Sequence, residues 1–323
     1  MNQPNSGQPL VTIAIPTFNR ADGYLRLALE SALAQTYSNV EVLVADNAST
    51  DNTEELVTSY RDGRLRYIKQ PENIGAIVNW NFTVSAANGD YYLMLHDDDL
   101  IDEDMIESCV SAANGSTHYG VIRTGVRIID GDGHVRSAKR NSAEGLDTTA
   151  FFVAWFHGQT SHYLCNTLYN RHHLQRRGGF SSPKNLFLDA AAMVELAARH
   201  GRCDVPEVKA SFRRHGANMG KTARSLDWAE DCLYVLESIS NHVPNDDLAR
   251  VRHEGLRFFC RKAYRHALAE PSLLQRYTAM LKIYRRFGFV INPASHIACK
   301  RWQGVRRRVR NIRPASDTHG SAH

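Results

Sequence analysis

The sequence predicts an α/β protein: a mostly parallel sheet flanked by helices, continued by an α-helical extension. Two observations carry this expectation. Over the first hundred residues short β-rich runs alternate with helical patterns, as in a parallel sheet covered by helices. From about Ser225 onward every pattern is helical, with Pro244, Pro271 and Pro293 as breaks. Strands are expected over residues 10–16, 40–45, 64–69 and 90–95. Between them, residues 24–36 carry Leu25, Ala28, Leu29, Ala32 and Leu33 on one helical face. Residues 51–60 open with acids suited to a helix N-terminus, and a third helix over 76–87 precedes the Asn88-Gly89 turn. After His96 come a helix over 102–113, then a run over 119–129 whose turn, Asp130-Gly131-Asp132-Gly133, predicts a hairpin. Helices are expected again over 148–156 and 187–200, followed by a β-like run over 205–210. The chain then divides into a flexible start over 1–9, an α/β domain over 10–220, a helical extension over 221–313 and a disordered tail over 314–323.

A chain of 323 residues, 43% of them hydrophobic, can bury a sizeable core. Its six cysteines (Cys109, Cys165, Cys203, Cys232, Cys260, Cys299) are scattered, with no C-x-x-C pair, and read as reduced thiols of a cytosolic protein. The opening MNQPNSGQPL lacks a charged segment followed by an apolar one, so no secretory signal is expected. The longest apolar-leaning stretch, 287–299, is broken by Asn292, Pro293, Ser295 and His296 and is too short for a membrane span. A cytoplasmic protein follows. The net charge of +5 hides an asymmetry: residues 251–313 hold 16 Lys or Arg against 2 acids, and the remainder 23 against 32. An anionic surface is the expected partner of the basic part.

Three strings at strand ends carry chemistry. Ile13-Ala14-Ile15-Pro16-Thr17-Phe18-Asn19-Arg20 leaves a strand through small polar residues, where nucleotide contacts belong in an open parallel sheet; alone, it also reads as an ordinary strand-to-helix turn. In Val44-Ala45-Asp46-Asn47-Ala48-Ser49-Thr50-Asp51, Asp46 can accept a hydrogen bond from the imide N–H of a pyrimidine base, while Ser49, Thr50 and Asp51 suit helix capping. His96-Asp97-Asp98-Asp99 crowds three carboxylates beside a buried strand, which calls for a cation. Hard oxygens favour Mn²⁺ or Mg²⁺ bridging substrate phosphates; the bland alternative is a solvated acidic loop.

In their order, these pieces resemble the inverting family 2 glycosyltransferases with the GT-A fold. The likeness runs from about residue 10 to 220 and includes Gln70-Pro71-Glu72-Asn73-Ile74-Gly75 followed by Asn79-Trp80-Asn81. It implies a sugar nucleotide, a UDP- or dTDP-sugar, as donor and a saccharide or lipid-linked hydroxyl as acceptor, in cell-surface polysaccharide or glycoconjugate synthesis. It implies that Pro16, Thr17, Asn19, Arg20, Asp46, Asn73, Gly75, Asn79, Asp97, Arg213 and Arg214 bind the donor. Asp98, Asp99 and His215 would hold Mn²⁺ or Mg²⁺, with Asp97 on the ribose. The chain departs from the pattern at His96, which stands where many members carry the first acid of a D-x-D motif; it either ligates or packs. Asp189, in Leu186-Phe187-Leu188-Asp189, matches the segment that supplies the catalytic base, with Glu195 as a weaker alternative; a helix-N-terminal acid favoured by the dipole is the other reading. Arg213 or Arg214 would neutralise the departing charge.

Other features take plainer readings. His172 and His173 suit a surface turn, and Phe151, Phe152, Trp155 and Phe156 a packed aromatic face. Across 251–310, aromatic residues interleave with cations, which fits either a helix lying on an anionic membrane or one packed on the α/β domain with a solvated basic face. No nucleic-acid module accompanies this charge. Two rivals share the acidic site: a nucleotidyltransferase, which needs a basic glycine-rich loop that the first strand lacks, and a nucleotide-sugar sensor, which needs no base.

Overall fold

The computed structural model describes residues 7–215, 224–299 and 302. Expectations for residues 1–6, for the chain past 302 and for the end of the α/β domain at 216–220 lie outside the described residues. The four expected parallel strands are β1 (Val11–Thr17), β2 (Val40–Asp46), β3 (Leu65–Lys69) and β4 (Tyr91–Met94). They stand in the order β3-β2-β1-β4, all parallel. All seven residues of β1 are buried, as befits a strand covered on both faces. The crossovers are α1 (Leu25–Leu33), α2 (Thr53–Thr58) and α3 (Ala76–Ala86). Leu25, Ala28, Leu29 and Ala32 form the buried face of α1, so the apolar periodicity is what seats the helix.

Register places the chemistry. Ala14 pairs with Met94 and Thr17 with Asp46, so the chains leaving β1, β2 and β4 emerge side by side at one sheet edge. Strand order reverses between β1 and β4, which opens a crevice beyond their carboxyl ends.

The second half of the sheet is mixed. It comprises β5 (Leu100–Ile101), β6 (Val121–Ile129), β7 (Val135–Lys139), β8 (Thr167–Asn170) and β9 (Arg202–Arg213). The antiparallel order runs β4-β8-β6; β9 then pairs parallel with β6, and β5 antiparallel with β9. The expected hairpin is β6–β7. Strands β5 and β8 escaped sequence analysis because two and four residues are too few to show alternation. Strand β9 is twice the length expected, since Pro206 obscures its pattern; a register shift between Arg123–Asp204 and Gly125–Val208 accommodates the proline.

Helices α4 (Met105–Ala112), α5 (Thr148–Phe156), α6 (Arg171–Arg176) and α7 (Leu188–His200) complete this half. His172 and His173 lie in α6 and not in a turn, because the Asn170 side chain caps the helix by accepting the His173 N–H. The His173 ring stacks on His200, centroids 3.5 Å apart.

Past residue 224 come α8 (Ser225–Ser240), α9 (Asn245–Ala267) and α10 (Leu273–Arg286). Pro244 stands at the start of α9, and Ser272, after Pro271, caps α10 in a reciprocal pair with Gln275. These helices share one hydrophobic core with the α/β part: Phe151, Phe152, Trp155 and Phe187 pack with Val235, Leu236, Phe259 and Ile283. The helices past residue 224 are therefore packed on the α/β part through a continuous core. Trp155 and Phe156 meet Phe258 with ring centroids 5.5 and 5.4 Å apart.

A buried carboxylate also joins the two parts. Asp231 on α8 is fully buried and accepts four hydrogen bonds, from the N–H groups of Lys184, Leu186 and Phe187 and from the Ser182 hydroxyl. It fixes the segment that leads into α7. Bonds to a buried carboxylate are worth about 1.5–3 kcal/mol each, though not additively. Asp231→Ala is expected to cost about 3 kcal/mol or more in urea unfolding; a loss under about 1 kcal/mol would mean that the segment is held by other contacts.

Candidate functional site

A cavity of about 930 Å³ opens at the carboxyl ends of β1, β2 and β4. Its β1 side carries Pro16, Thr17 and Arg20. Asn19 does not line it. In a left-handed backbone conformation (φ 52°), Asn19 donates its N–H to Ser49 Oγ and accepts the Thr50 N–H on Oδ1, both at 2.8 Å. It thereby ties the β1 and β2 loops together. Capping of α2 falls to Asp51, whose Oδ1 accepts the Thr53 N–H, while Ser49 and Thr50 serve Asn19.

Asp46 is fully buried and also lies off the cavity lining. Its Oδ1 accepts the Ser49 N–H at 2.8 Å and its Oδ2 the Tyr67 hydroxyl at 2.6 Å. Burial, then Asp46, pushes the Tyr67 pKa up, so this hydroxyl stays a donor. Next to it Asn47 does line the cavity, donating its amide to Asn73 Oδ1 at 2.8 Å and accepting the Ile74 N–H. Gly75, with φ +84°, starts α3 in a conformation that suits glycine alone, and its N–H also reaches Asn73 Oδ1. Asn79 anchors α3 by donating to the Ala45 carbonyl.

The acidic wall follows β4, and each carboxylate has a partner from another element. Asp97 Oδ2 accepts the Thr17 hydroxyl at 2.8 Å, with Arg20 Nε 3.9 Å away. Asp98 Oδ2 lies 2.7 Å from His215 Nε2. Asp99, 1% exposed, accepts the Arg213 N–H on Oδ1, and its buried Oδ2 has no hydrogen-bond partner. His96 packs its ring on Trp80, centroids 4.8 Å apart, and turns Nδ1 to within 4.0 Å of Asp99 Oδ2. Its Nε2 is buried without a hydrogen-bond partner.

Burial first, and the Asp98 charge among the further causes, raise the pKa of Asp97 and raise that of Asp99 well above the usual range. Donor atoms of His96, Asp98 and Asp99 lie within 4.8 Å of one another. One oxygen each from two hard carboxylates, with Asp99 Oδ2 lacking a hydrogen-bond partner, and an imidazole nitrogen suit Mn²⁺ or Mg²⁺.

At the end of β9 the two arginines part. Arg213 is 2% exposed, off the cavity lining, and braces the acidic loop: Nε donates to the Asp98 carbonyl, Nη1 to the carbonyls of Asp130 and Gly131, and the guanidinium sits 4.2 Å over the Tyr24 ring. Arg214 lines the cavity and reaches the Tyr163 hydroxyl at 3.3 Å. His215 touches the cluster through Asp98.

Asp189 stands in the first turn of α7 with its side chain 29% exposed to the cavity. Burial raises its pKa. His162 Nε2, almost wholly buried, lies 3.5 Å from Asp189 Oδ2. Burial, then the charges of Arg123 and Lys262, hold the His162 pKa well below its ordinary value, so a neutral imidazole faces the carboxylate. Glu195 instead pairs with Arg177 and Arg199. Sequence analysis passed over three residues that matter here: His162, Asp231 and Lys262, the last reaching the cavity from α9. Each is far in sequence from the strings that mark the site and has no motif of its own.

Relatives and solved structures resemble the chain in sequence or in fold. A Rickettsia typhi protein named as an uncharacterized glycosyltransferase is 36% identical over 152 residues, 46% of this chain and 47% of the relative. Glycosyltransferase GlyG of Streptococcus pneumoniae is 35% identical over 101 residues, 31% of this chain and 33% of the relative. The aligned stretches thus span about half or less of these relatives. In fold, the chain is similar to Staphylococcus aureus TarS 1-349 in complex with UDP-GlcNAc, with a TM-score of 0.65 at 16% identity over 88% of this chain and 82% of that one. It is also similar to the mannosyltransferase PcManGT of Pyrobaculum calidifontis in complex with GDP-Man and Mn²⁺, with a TM-score of 0.53 at 19% identity over 90% and 86%. The architecture is GT-A. With the family's sequence model matching residues 12–178, just over half of its length, the chain belongs to glycosyl transferase family 2.

Proposed function

We propose that this protein transfers a sugar from a nucleoside diphosphate to an acceptor hydroxyl with inversion at the anomeric carbon. One observation carries the reading: a single cavity holds both a carboxylate cluster fit for a divalent cation and a separate carboxylate, Asp189, with a raised pKa. Neighbouring folds were solved with UDP-GlcNAc and with GDP-Man and Mn²⁺, which supports a sugar nucleotide here. A UDP- or dTDP-sugar is the donor proposed, with Pro16, Thr17, Arg20, Asn73, Gly75 and Arg214 along its path. Asn79 lines the cavity as well while anchoring α3 to β2, and Asp46, Asn19 and Arg213 act from beneath, holding those residues in place.

Asp98 and Asp99, with His96 or His215 beside them, would hold Mn²⁺ or Mg²⁺, and Asp97 would meet the ribose. Such an ion supplies positive charge against the leaving diphosphate. Asp189 takes the proton of the acceptor hydroxyl as its oxygen bonds to the anomeric carbon; the bond from that carbon to the phosphate oxygen breaks, and its electron pair leaves with the nucleoside diphosphate. His162 orients the base, and Arg214 faces the departing charge.

The test is transfer or slow donor hydrolysis with Mn²⁺ and a panel of sugar nucleotides. Asp98→Ala and Asp189→Ala are each expected to lower turnover by about 100-fold or more while remaining folded; wild-type rates in either would overturn its role. The base works only when deprotonated, and its folded-state pKa is raised, so kcat/KM falls with decreasing pH through a midpoint above the ordinary Asp range near 3.9. In a separate measurement, Mn²⁺ is expected to raise the Tm of wild type and a chelator to reverse it, because the ion relieves repulsion in the folded state; Asp99→Asn should blunt the shift. An unchanged Tm at saturating Mn²⁺ would remove the cation from this reading.

A peripheral position on the inner face of the cell membrane is proposed for α10. No described helix is long and apolar enough to cross a membrane. Yet α10 exposes Leu273, Leu274, Tyr277 and Leu281 as a stripe flanked by Arg276, Lys282 and Arg285. The protein is expected to sediment with vesicles containing anionic lipid and not with neutral ones, and Leu274→Glu with Tyr277→Glu to abolish this. Retention of binding by that double variant would place the contact elsewhere.

A further inference from the structure

The cavity is polarised: acids line the end nearest β4, and α9 turns Lys262, Arg265 and His266 into another wall. These positions are spaced as i, i+3 and i+4, so one helical face presents all three. Of the two cations, Lys262 is partly buried and Arg265 exposed, while burial pushes the His266 pKa down to about 4. Its Nζ lies 4.8 Å from the centre of the Phe187 ring and 5.3 Å from that of Phe258. Ring faces attract an ammonium but accept none of its three N–H bonds in the ordinary way. Among the described residues no hydrogen bond or ion pair within 4.0 Å engages Lys262, whereas the cavity arginines Arg20 and Arg214 face Asp97 and the Tyr163 hydroxyl. Burial accordingly pulls the Lys262 pKa down, against the pull of Asp189. A partly buried ammonium with no direct ion pair costs stability unless a ligand supplies the anion.

The location assigns that anion to one substrate. Phe187, which Lys262 covers, stands two residues before Asp189, and Asp231 locks it in place through its N–H. Lys262 therefore sits at the end of the cavity where the proposed base meets the acceptor, while the acidic cluster takes the donor's diphosphate. Trp228, its ring stacked on His266 at 4.0 Å, lines the same wall.

We propose that Lys262, with Arg265 one turn further along α9, binds an anionic group, phosphate or carboxylate, carried by the acceptor beside the hydroxyl that is glycosylated. This rests on the transferase reading above, and it deepens that reading by naming the acceptor's class: an acidic saccharide or a phosphorylated one. Lys262 is a specificity residue for the acceptor.

Binding to the full chain tests this without knowledge of the natural acceptor. Glucose 6-phosphate, glucuronate and glucose are titrated against wild type, Lys262→Met and Lys262→Arg, following tryptophan fluorescence, since Trp80, Trp155 and Trp228 line the cavity. One arm has no nucleotide and the other has UDP with Mn²⁺. Both charged sugars are expected to bind wild type at least 10-fold more tightly than glucose. Lys262→Met should erase the preference and Lys262→Arg keep most of it, with UDP affinity unchanged in both. Equal affinities for charged and neutral sugars in wild type, or a preference that survives in Lys262→Met, would overturn the proposal. So would a matching loss of UDP affinity in Lys262→Met, which would assign the lysine to the donor's diphosphate. Phosphate and carboxylate sources are separated by the two charged probes. Failure of UDP and Mn²⁺ to bind any variant would instead count against the donor reading alone, because the charge preference is read in the arm without nucleotide.

Discussion

Repulsion among Asp97, Asp98 and Asp99 governs the arrangement around it. Two unit charges 4 Å apart cost about 4 kcal/mol at an effective dielectric constant near 20, more than one neutral hydrogen bond returns. The fold therefore gives each carboxylate a partner from a different element: Thr17 of β1 for Asp97, His215 beyond β9 for Asp98, and the Arg213 N–H of β9 for Asp99. The same bonds fasten β1 and β9 to the chain that leaves β4. Even so, Asp97 and Asp99 keep raised pKa values, and Asp99 Oδ2 keeps no hydrogen-bond partner. Carboxylates whose charged forms are this disfavoured are groups that a nearby cation would stabilise.

The C-terminal helices belong to the site as much as the sheet does. Asp231 on α8 organises the segment that delivers Asp189, and α9 closes the cavity with Lys262, while their apolar faces merge with the α5 and α7 core. A carboxylate mounted on a segment held by four hydrogen bonds keeps its geometry when a ligand enters the cavity. The basic charge of this region thus has two destinations: part of α9 faces the cavity, and α10 turns its exposed apolar stripe outward.

Several residues of the sequence motifs act one layer behind the ligand space. Asn19 links two loops, Asp46 holds Ser49 and Tyr67, and Arg213 braces the acidic loop. Motif membership and contact with the cavity are therefore different properties. A buried polar side chain in a strand-end loop must find partners, and those partners set the positions of the neighbours that line the space, as Asn47 does beside Asp46.

Much of the fold was legible in the sequence because its signals are local. The four parallel strands, the buried face of α1, the β6–β7 hairpin and the proline-punctuated helices each announce themselves within a few residues, through periodicity and turn chemistry. The acidic string and the Asp189 segment were legible for the same reason: their residues are contiguous. Strand β8, the extended β9, the latch at Asp231, the imidazole of His162 and the inward turn of Lys262 depended on tertiary structure. Each is defined by a partner dozens of residues away, and one side chain carries no local record of which distant group will satisfy it. Sequence alone determined which chemistry the strand ends hold; packing of the helices onto the sheet decided what surrounds it.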